Sequence, residues 1–466
     1  MVCRRRSGRV TKWRAAWDRT ARFSVLLLLT HALAAVAGNT ATAASGQPST
    51  ARDIGKHLGV ATCASTICHG SVRSLDARTV QQNEYVTWSN FDPHSRAYKI
   101  LFDPKSQRIA QRLGLKNAHQ SLECLGCHSD AVGTARQGER FQVSDGIGCE
   151  ACHGGSEKWL ATHDDAPGVT HAANLANGMR KLESPVVRAE VCLDCHLGSG
   201  TRFASHQMMA AGHPRLAFEL DTYTELWRTS GGREHYKVDP DYAARKGRHD
   251  PVVVWLTGLS AASRRTSDMI NWHATKPNVA LPDFSLYNCY SCHRTMQLSV
   301  WSSGGQYDGL PAGTLRLQDG HIKALLSVLD ALNSRQASLL RESLSAMHAS
   351  VGGDKAALRQ ATERMSGQLA GIENTVSKGN WSKGELKGVL NAMTGAARRG
   401  AFADYAAAEQ AAMAMVLLVS EMDPGNVRSP EVDALFKALE DDKQFDGSRF
   451  QRALSTLRET RPAGRR

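Results

Sequence analysis

Beyond residues 23–37 the sequence has no apolar run approaching the roughly 20 residues that a membrane-spanning helix needs. It has no stripe of basic residues interleaved with aromatics, so its formal charge of +12 is no sign of nucleic-acid binding. Much of that charge sits at one end. Residues 1–43 carry Arg4, Arg5, Arg6, Arg9, Lys12, Arg14, Arg19 and Arg22 against Asp18 alone, which leaves the remainder near +5. Spare cysteine is also missing. Of the 11 cysteines, only Cys3 stands outside five short motifs, and after Cys292 the residue disappears.

The five motifs are Cys63/Cys68/His69, Cys124/Cys127/His128, Cys149/Cys152/His153, Cys192/Cys195/His196 and Cys289/Cys292/His293. Four have the form Cys-x-x-Cys-His, the attachment pattern of c-type haem. Each thiol can add across a porphyrin vinyl group, and the adjacent histidine then becomes the proximal iron ligand. Zinc knuckles and disulfide frameworks place no requirement on the residue after the second cysteine. A histidine there five times over therefore favours haem, and the expected cofactors are five covalently attached haem c groups. The first motif, Cys63-Ala-Ser-Thr-Ile-Cys68-His69, has four intervening residues. Its competing reading is a structural disulfide beside an unrelated histidine.

Along the chain, residues 1–43 read as a Sec-type signal peptide: a basic start, 15 apolar residues, then small residues around Ala41-Thr42-Ala43. Export to the periplasm follows, with anchoring by an uncleaved signal as the less favoured alternative. Residues 44–56 form a flexible linker rich in Ser, Thr, Gln and Pro. Residues 57–313 form a pentahaem cytochrome c domain. The expected fold is mainly α with extensive loops, a multihaem cytochrome c fold wrapped around packed haems, with few long helices. Residues 314–466 form a C-terminal helical domain. There His321-Ile-Lys-Ala-Leu-Leu-Ser-Val-Leu repeats apolar residues three and four apart. Further helices are expected at 354–377, 384–397, 402–422, 430–440 and 447–459, with Asp354, Ser382, Ser429 and Asp446 as N-caps.

The remaining histidines are candidate distal ligands, which would close each iron to substrate and make it an electron carrier. The preferred five are His94, His119, His163, His206 and His213, with His273 and His321 in reserve. His57, His171, His235, His249 and His348 read as solvated. Met208 and Met209 are expected to pack.

The stretch Gly59-Val-Ala-Thr-Cys63…Cys68-His69, then Trp88…His94-Ser-Arg-Ala97, Cys124-Leu-Gly-Cys127-His128 and Gly148-Cys149-Glu-Ala-Cys152-His153-Gly resembles the c-554 type multihaem cytochromes. The resemblance covers roughly residues 57–300. That family includes a periplasmic tetrahaem carrier that accepts electrons from hydroxylamine oxidoreductase. It implies packed haem pairs and mostly bis-histidine irons, with one open iron in some members. It also makes His94 and His119 the stronger distal candidates. A fifth haem motif, the long spacer after Cys63 and the C-terminal helices depart from the family pattern.

Two functions compete. The first is a periplasmic pentahaem c-type cytochrome, a non-catalytic carrier passing electrons between redox partners through mostly bis-His haems. The second is a multihaem oxidoreductase acting on a small nitrogen or sulfur species at one open haem. The absence of a Cys-x-x-Cys-Lys site and the count of five motifs favour the carrier. Expected partners are donor and acceptor redox proteins, among them a membrane-associated quinol oxidase or reductase. A homodimer through the C-terminal helices is a further expectation.

Overall fold

The computed structural model describes residues 53–75, 79–163, 170–228, 234–276, 282–293, 314–351, 353–423 and 429–457. The signal segment, Cys3 and most of the linker lie outside the described residues. Among those described, the chain is mainly helical, and its only β pairings are the isolated bridges His57–Gln137 and Tyr287–Leu317. No described helix is long and apolar enough to cross a membrane.

The first half is a succession of short helices and turns: α1 (Glu84–Phe91), α2 (Pro104–Arg112), α3 (Leu122–His128), α4 (Cys149–His153), α5 (His171–Ala176), α6 (Pro185–His196), α7 (His206–Ala210), α8 (Leu220–Arg228) and α9 (Pro240–Lys246). Among the described residues, side chains alone give this region two small apolar clusters, one around Leu193, Phe218 and Leu220 and one around Leu101 and Ala110.

Then comes α10 (Pro251–Ala274), the longest helix described. Asp250 caps it by accepting from the Val252 N–H, and Pro251 takes the first position, where no N–H is needed. It is buried around its whole circumference from Val252 to Ser263. Such a helix carries no amphipathic period. Gly258 lets Leu220 of α8 approach closely, since a Cβ there would lie 2.3 Å from the Leu220 Cβ. Arg264 and Arg265 both bind Glu190 of α6, and Arg264 also binds Glu373.

The second half is a helical bundle: α11 (Gly320–Leu332), α12 (Ser334–Ala349), α13 (Lys355–Val376), α14 (Lys383–Arg398), α15 (Tyr405–Met422), α16 (Pro430–Ala438) and α17 (Gly447–Thr456). Asp354, Ser382, Ser429 and Asp446 cap α13, α14, α16 and α17 through their side chains, and Ser382 with Glu385 completes a capping box. One apolar core runs without interruption from Val252 and Trp255 of α10, through Leu286 and Tyr287, to Leu454 and Leu457. It therefore crosses the boundary drawn at residue 313. Inside it Lys323 is buried between Asp319 at 3.1 Å and Asp404 at 3.2 Å. His348, which the sequence suggested was solvated, is also buried there and accepts from the Leu317 N–H at 3.1 Å.

Candidate haem-binding site

Three motifs lie on single helical turns: α3 holds Cys124, Cys127 and His128, α4 holds Cys149, Cys152 and His153, and the end of α6 holds Cys192, Cys195 and His196. Residues three and four apart share a helix face. Each turn therefore presents two thiols and an imidazole to one side. All ten motif cysteines are free thiols, so no disulfide forms at Cys63 and Cys68.

The four motifs from Cys63 to His196 line one cavity of about 3740 Å³. That is several times the roughly 300–1,000 Å³ of a single small-molecule pocket. The Cys63 thiol hydrogen-bonds Cys149, and Cys127 hydrogen-bonds Cys195, so motifs one and three are neighbours, as are two and four. The fifth motif stands apart, with Cys289 and Cys292 exposed.

Across from four of the motif histidines lies a second imidazole. His69 faces His163 with ring centres 6.0 Å apart, and His94 faces His196 at 6.0 Å. His128 faces His213 at 6.4 Å, and His206 faces His293 at 6.3 Å. Two metal–nitrogen bonds of about 2 Å, with each ring centre about 1 Å behind its nitrogen, would set trans imidazoles about 6 Å apart. The spacing fits one iron between each pair. Among the described residues no three His, Cys, Asp or Glu side chains converge to hold a bare metal ion, as a tetrahedral zinc site would require.

Hydrogen bonds orient several of these rings. His69 Nδ1 donates to Glu84 and His94 Nδ1 to Asp92, both at 2.9 Å. His128 Nδ1 donates to the Ala97 carbonyl at 2.9 Å and His213 Nδ1 to that of Pro214 at 2.8 Å. A donating Nδ1 leaves the Nε2 lone pair as the ligand atom. Burial pushes His196 down to about 4, which keeps its imidazole neutral, the form that binds iron.

The contexts that carried the family resemblance have structural work to do. Glu150, inside the third motif, is buried and accepts from the N–H groups of Leu58 at 2.8 Å, Gly59 at 2.7 Å and Ser156 at 2.7 Å. It ties the chain before the first motif to the third. The Trp88 indole N–H donates to the Ile147 carbonyl at 3.0 Å, fixing α1 against the same motif.

The remaining histidines fall elsewhere. His119 stacks on Phe102 at 4.2 Å and is in none of the four pairs. His273 packs on Phe203 at 4.0 Å, and His321 Nε2 lies 3.3 Å from the Phe218 carbonyl. Three of the histidines read as solvated lie against carboxylates, His348 beside Asp319 at 3.2 Å among them. His57, only 1% exposed, sits between Asp130 at 2.6 Å and Asp53 at 3.1 Å, and His171 binds Glu183 at 2.7 Å. Burial alone would lower His57, but the two carboxylates raise it to about 9. His235 lines the large cavity.

Comparison with curated proteins and with solved structures gave no match. Residues 62–154, from the first motif to the end of the third, match the family described as Cytochrome c554 and c-prime. Over that stretch the chain resembles this family of c-type cytochromes.

Proposed function

We propose that the chain is a periplasmic pentahaem cytochrome c that carries electrons between redox partner proteins. Cys63, Cys68, Cys124, Cys127, Cys149, Cys152, Cys192, Cys195, Cys289 and Cys292 would hold five porphyrins, with His69, His128, His153, His196 and His293 as proximal ligands. Haem supplies one-electron redox chemistry when bound. The observation that carries the reading is the set of four imidazole pairs at 6.0–6.4 Å. An iron with imidazole on both sides has no vacant position for substrate. The basic, apolar and small-residue order of residues 1–43 supports export.

Two measurements test the reading. Intact mass of the exported protein is expected to equal the mature chain plus five haems. Ferric EPR is expected to be dominated by low-spin signals that do not change with nitrite or hydroxylamine. A stoichiometric high-spin iron that turns such a ligand over would replace the carrier with the oxidoreductase.

A further inference from the structure

Resting on the proposed function, we infer that α2 and the turns flanking it form the surface on which an acidic redox protein docks, to exchange one electron with an iron held between His128 and His213.

The first observation is where the charge lies. Residues 96–123 carry Arg96, Lys99, Lys105, Arg108, Arg112 and Lys116 against Asp103 and Glu123, a net +4. Everything after residue 43 sums to about +5, so this one stretch holds nearly all of the excess. Many cations elsewhere are paired inside the protein: Arg136 and Arg180 with Asp53, Arg215 with Glu409, Arg264 and Arg265 with Glu190. Lys99, Lys105, Arg108 and Lys116 are exposed, and none forms an ion pair among the described residues. A cluster of one sign left unneutralised steers a partner of the opposite sign onto it.

The second observation is what lies beneath. Lys105 and Ile109 of α2 face the large cavity, whereas Arg108 and Lys116 do not line it. A single helix, about 10 Å thick, thus separates that cavity from water. Both imidazoles of the His128–His213 pair are fastened to this piece of chain. The His128 Nδ1 donates to the Ala97 carbonyl at 2.9 Å, two residues before Lys99. The Arg112 guanidinium donates to the Ala211 carbonyl at 3.1 Å, two residues before His213. Leu101 and Ala110 join Cys124 of the second motif in one apolar cluster, so the patch is a firm part of that motif's wall. Phe102 lies between Lys99 and Lys105 in the chain, is 52% exposed, and is backed by the His119 ring at 4.2 Å. It does not line the cavity, so a porphyrin there leaves it uncovered. An aromatic anchor among charged neighbours is how protein interfaces are built. A lipid surface would answer the charge but exchanges no electron with an iron, whereas a protein with its own redox centre answers both. In the exchange the reduced centre of the partner gives up one electron and the ferric iron takes it up, with no other bond made or broken.

The test uses the exported, haem-loaded full chain, with the haem count of every variant read by intact mass. Arg108→Glu with Lys116→Glu reverses two charges that lie off the cavity wall. Lys383→Glu with Lys387→Glu makes the same change of net charge at exposed positions of α14. The donor is reduced flavodoxin, an acidic one-electron protein, and ferrous haem absorbance is followed by stopped flow at low salt. The α2 variant is expected to be reduced about tenfold more slowly than the unaltered protein, and the α14 variant to stay within about twofold of it. The gap is expected to close at about 1 M salt, where charges are screened beyond about 3 Å. With hexaammineruthenium(II), a cationic donor, the α2 variant is expected to show no slowing. Equal slowing in both variants, slowing in neither, or slowing of the α2 variant with both donors would overturn the inference. So would loss of binding to phosphatidylglycerol vesicles in the α2 variant with flavodoxin reduction unchanged, which would assign the patch to a membrane. Fewer than five haems in the unaltered protein would instead overturn the pentahaem reading, while the comparison of the two variants would still decide the surface. If the α2 variant does not accumulate, Arg108→Gln with Lys116→Gln decides. A fall of about threefold is expected, and an unchanged rate rejects the surface.

Discussion

Replacing His57 with glutamine removes a buried cation from between two carboxylates and leaves its volume nearly unchanged. In the intact protein His57 titrates at about 9, against 6.5 for an ordinary histidine. At about 1.4 kcal/mol per pH unit, that rise is worth about 3 kcal/mol. The ring is essentially inaccessible, so solvent screening takes little from the figure. The sign follows from linkage: a pKa raised on folding stabilises the protein fully below pH 6.5, and the contribution fades as pH climbs through about 9. The unaltered holoprotein should therefore lose about 3 kcal/mol between pH 6 and pH 10 that His57→Gln does not lose. Guanidinium unfolding at half-unit pH steps, followed by far-UV circular dichroism, measures the difference between the two curves. Groups common to both proteins cancel in that difference. Parallel curves across the window would refute the reasoning, because they would mean that the Asp53–His57–Asp130 contact carries no net charge pairing.

Four other outcomes are expected. Glu150→Ala removes the acceptor for three backbone N–H groups and should lower stability by about 3 kcal/mol or more, seen as a lower unfolding midpoint and as proteolysis near the first motif. Low-spin EPR signals should fall into two classes. The His69–His163 and His206–His293 planes cross at 29° and 30°, which would separate the d orbitals of an iron held between them, whereas the crossings of 89° for His94–His196 and 86° for His128–His213 would leave them nearly degenerate and the signals highly anisotropic. A double Cys289→Ser and Cys292→Ser variant should lose one haem mass and remain soluble, since that motif lies outside the shared cavity. The same change at Cys149 and Cys152 should lose one haem and most of the folded protein.

What the sequence revealed was local. Asp354, Ser382, Ser429 and Asp446 announce their helices because a cap acts within three residues. Three of the motifs announce themselves because both thiols and the imidazole fit on one helical turn. Helix α10 stayed hidden in a region expected to hold loops and few long helices, because a helix buried on every side has no period to detect. Helix α12 escaped because it restarts at Asn333, directly after α11 ends. His57 looked solvated because Asp130 is 73 residues away in sequence. His119 looked like a ligand because nothing in Asn-Ala-His reveals that Phe102 lies flat against its ring. Which imidazole faces which is a matter of distant pairing, such as His69 with His163, and no short-range spacing encodes it.

The apolar interior that α10 shares with the bundle bears on how the protein is made. The side chains of the first half, taken without any cofactor, gather into two small apolar clusters and no large interior among the described residues. The second half has a large apolar core made of side chains alone, continuous with α10, and Arg264 and Arg265 of α10 bind Glu190 on the helix that carries the fourth motif. The C-terminal helices thus give α10, and through it the fourth motif's helix, a backing built from side chains alone.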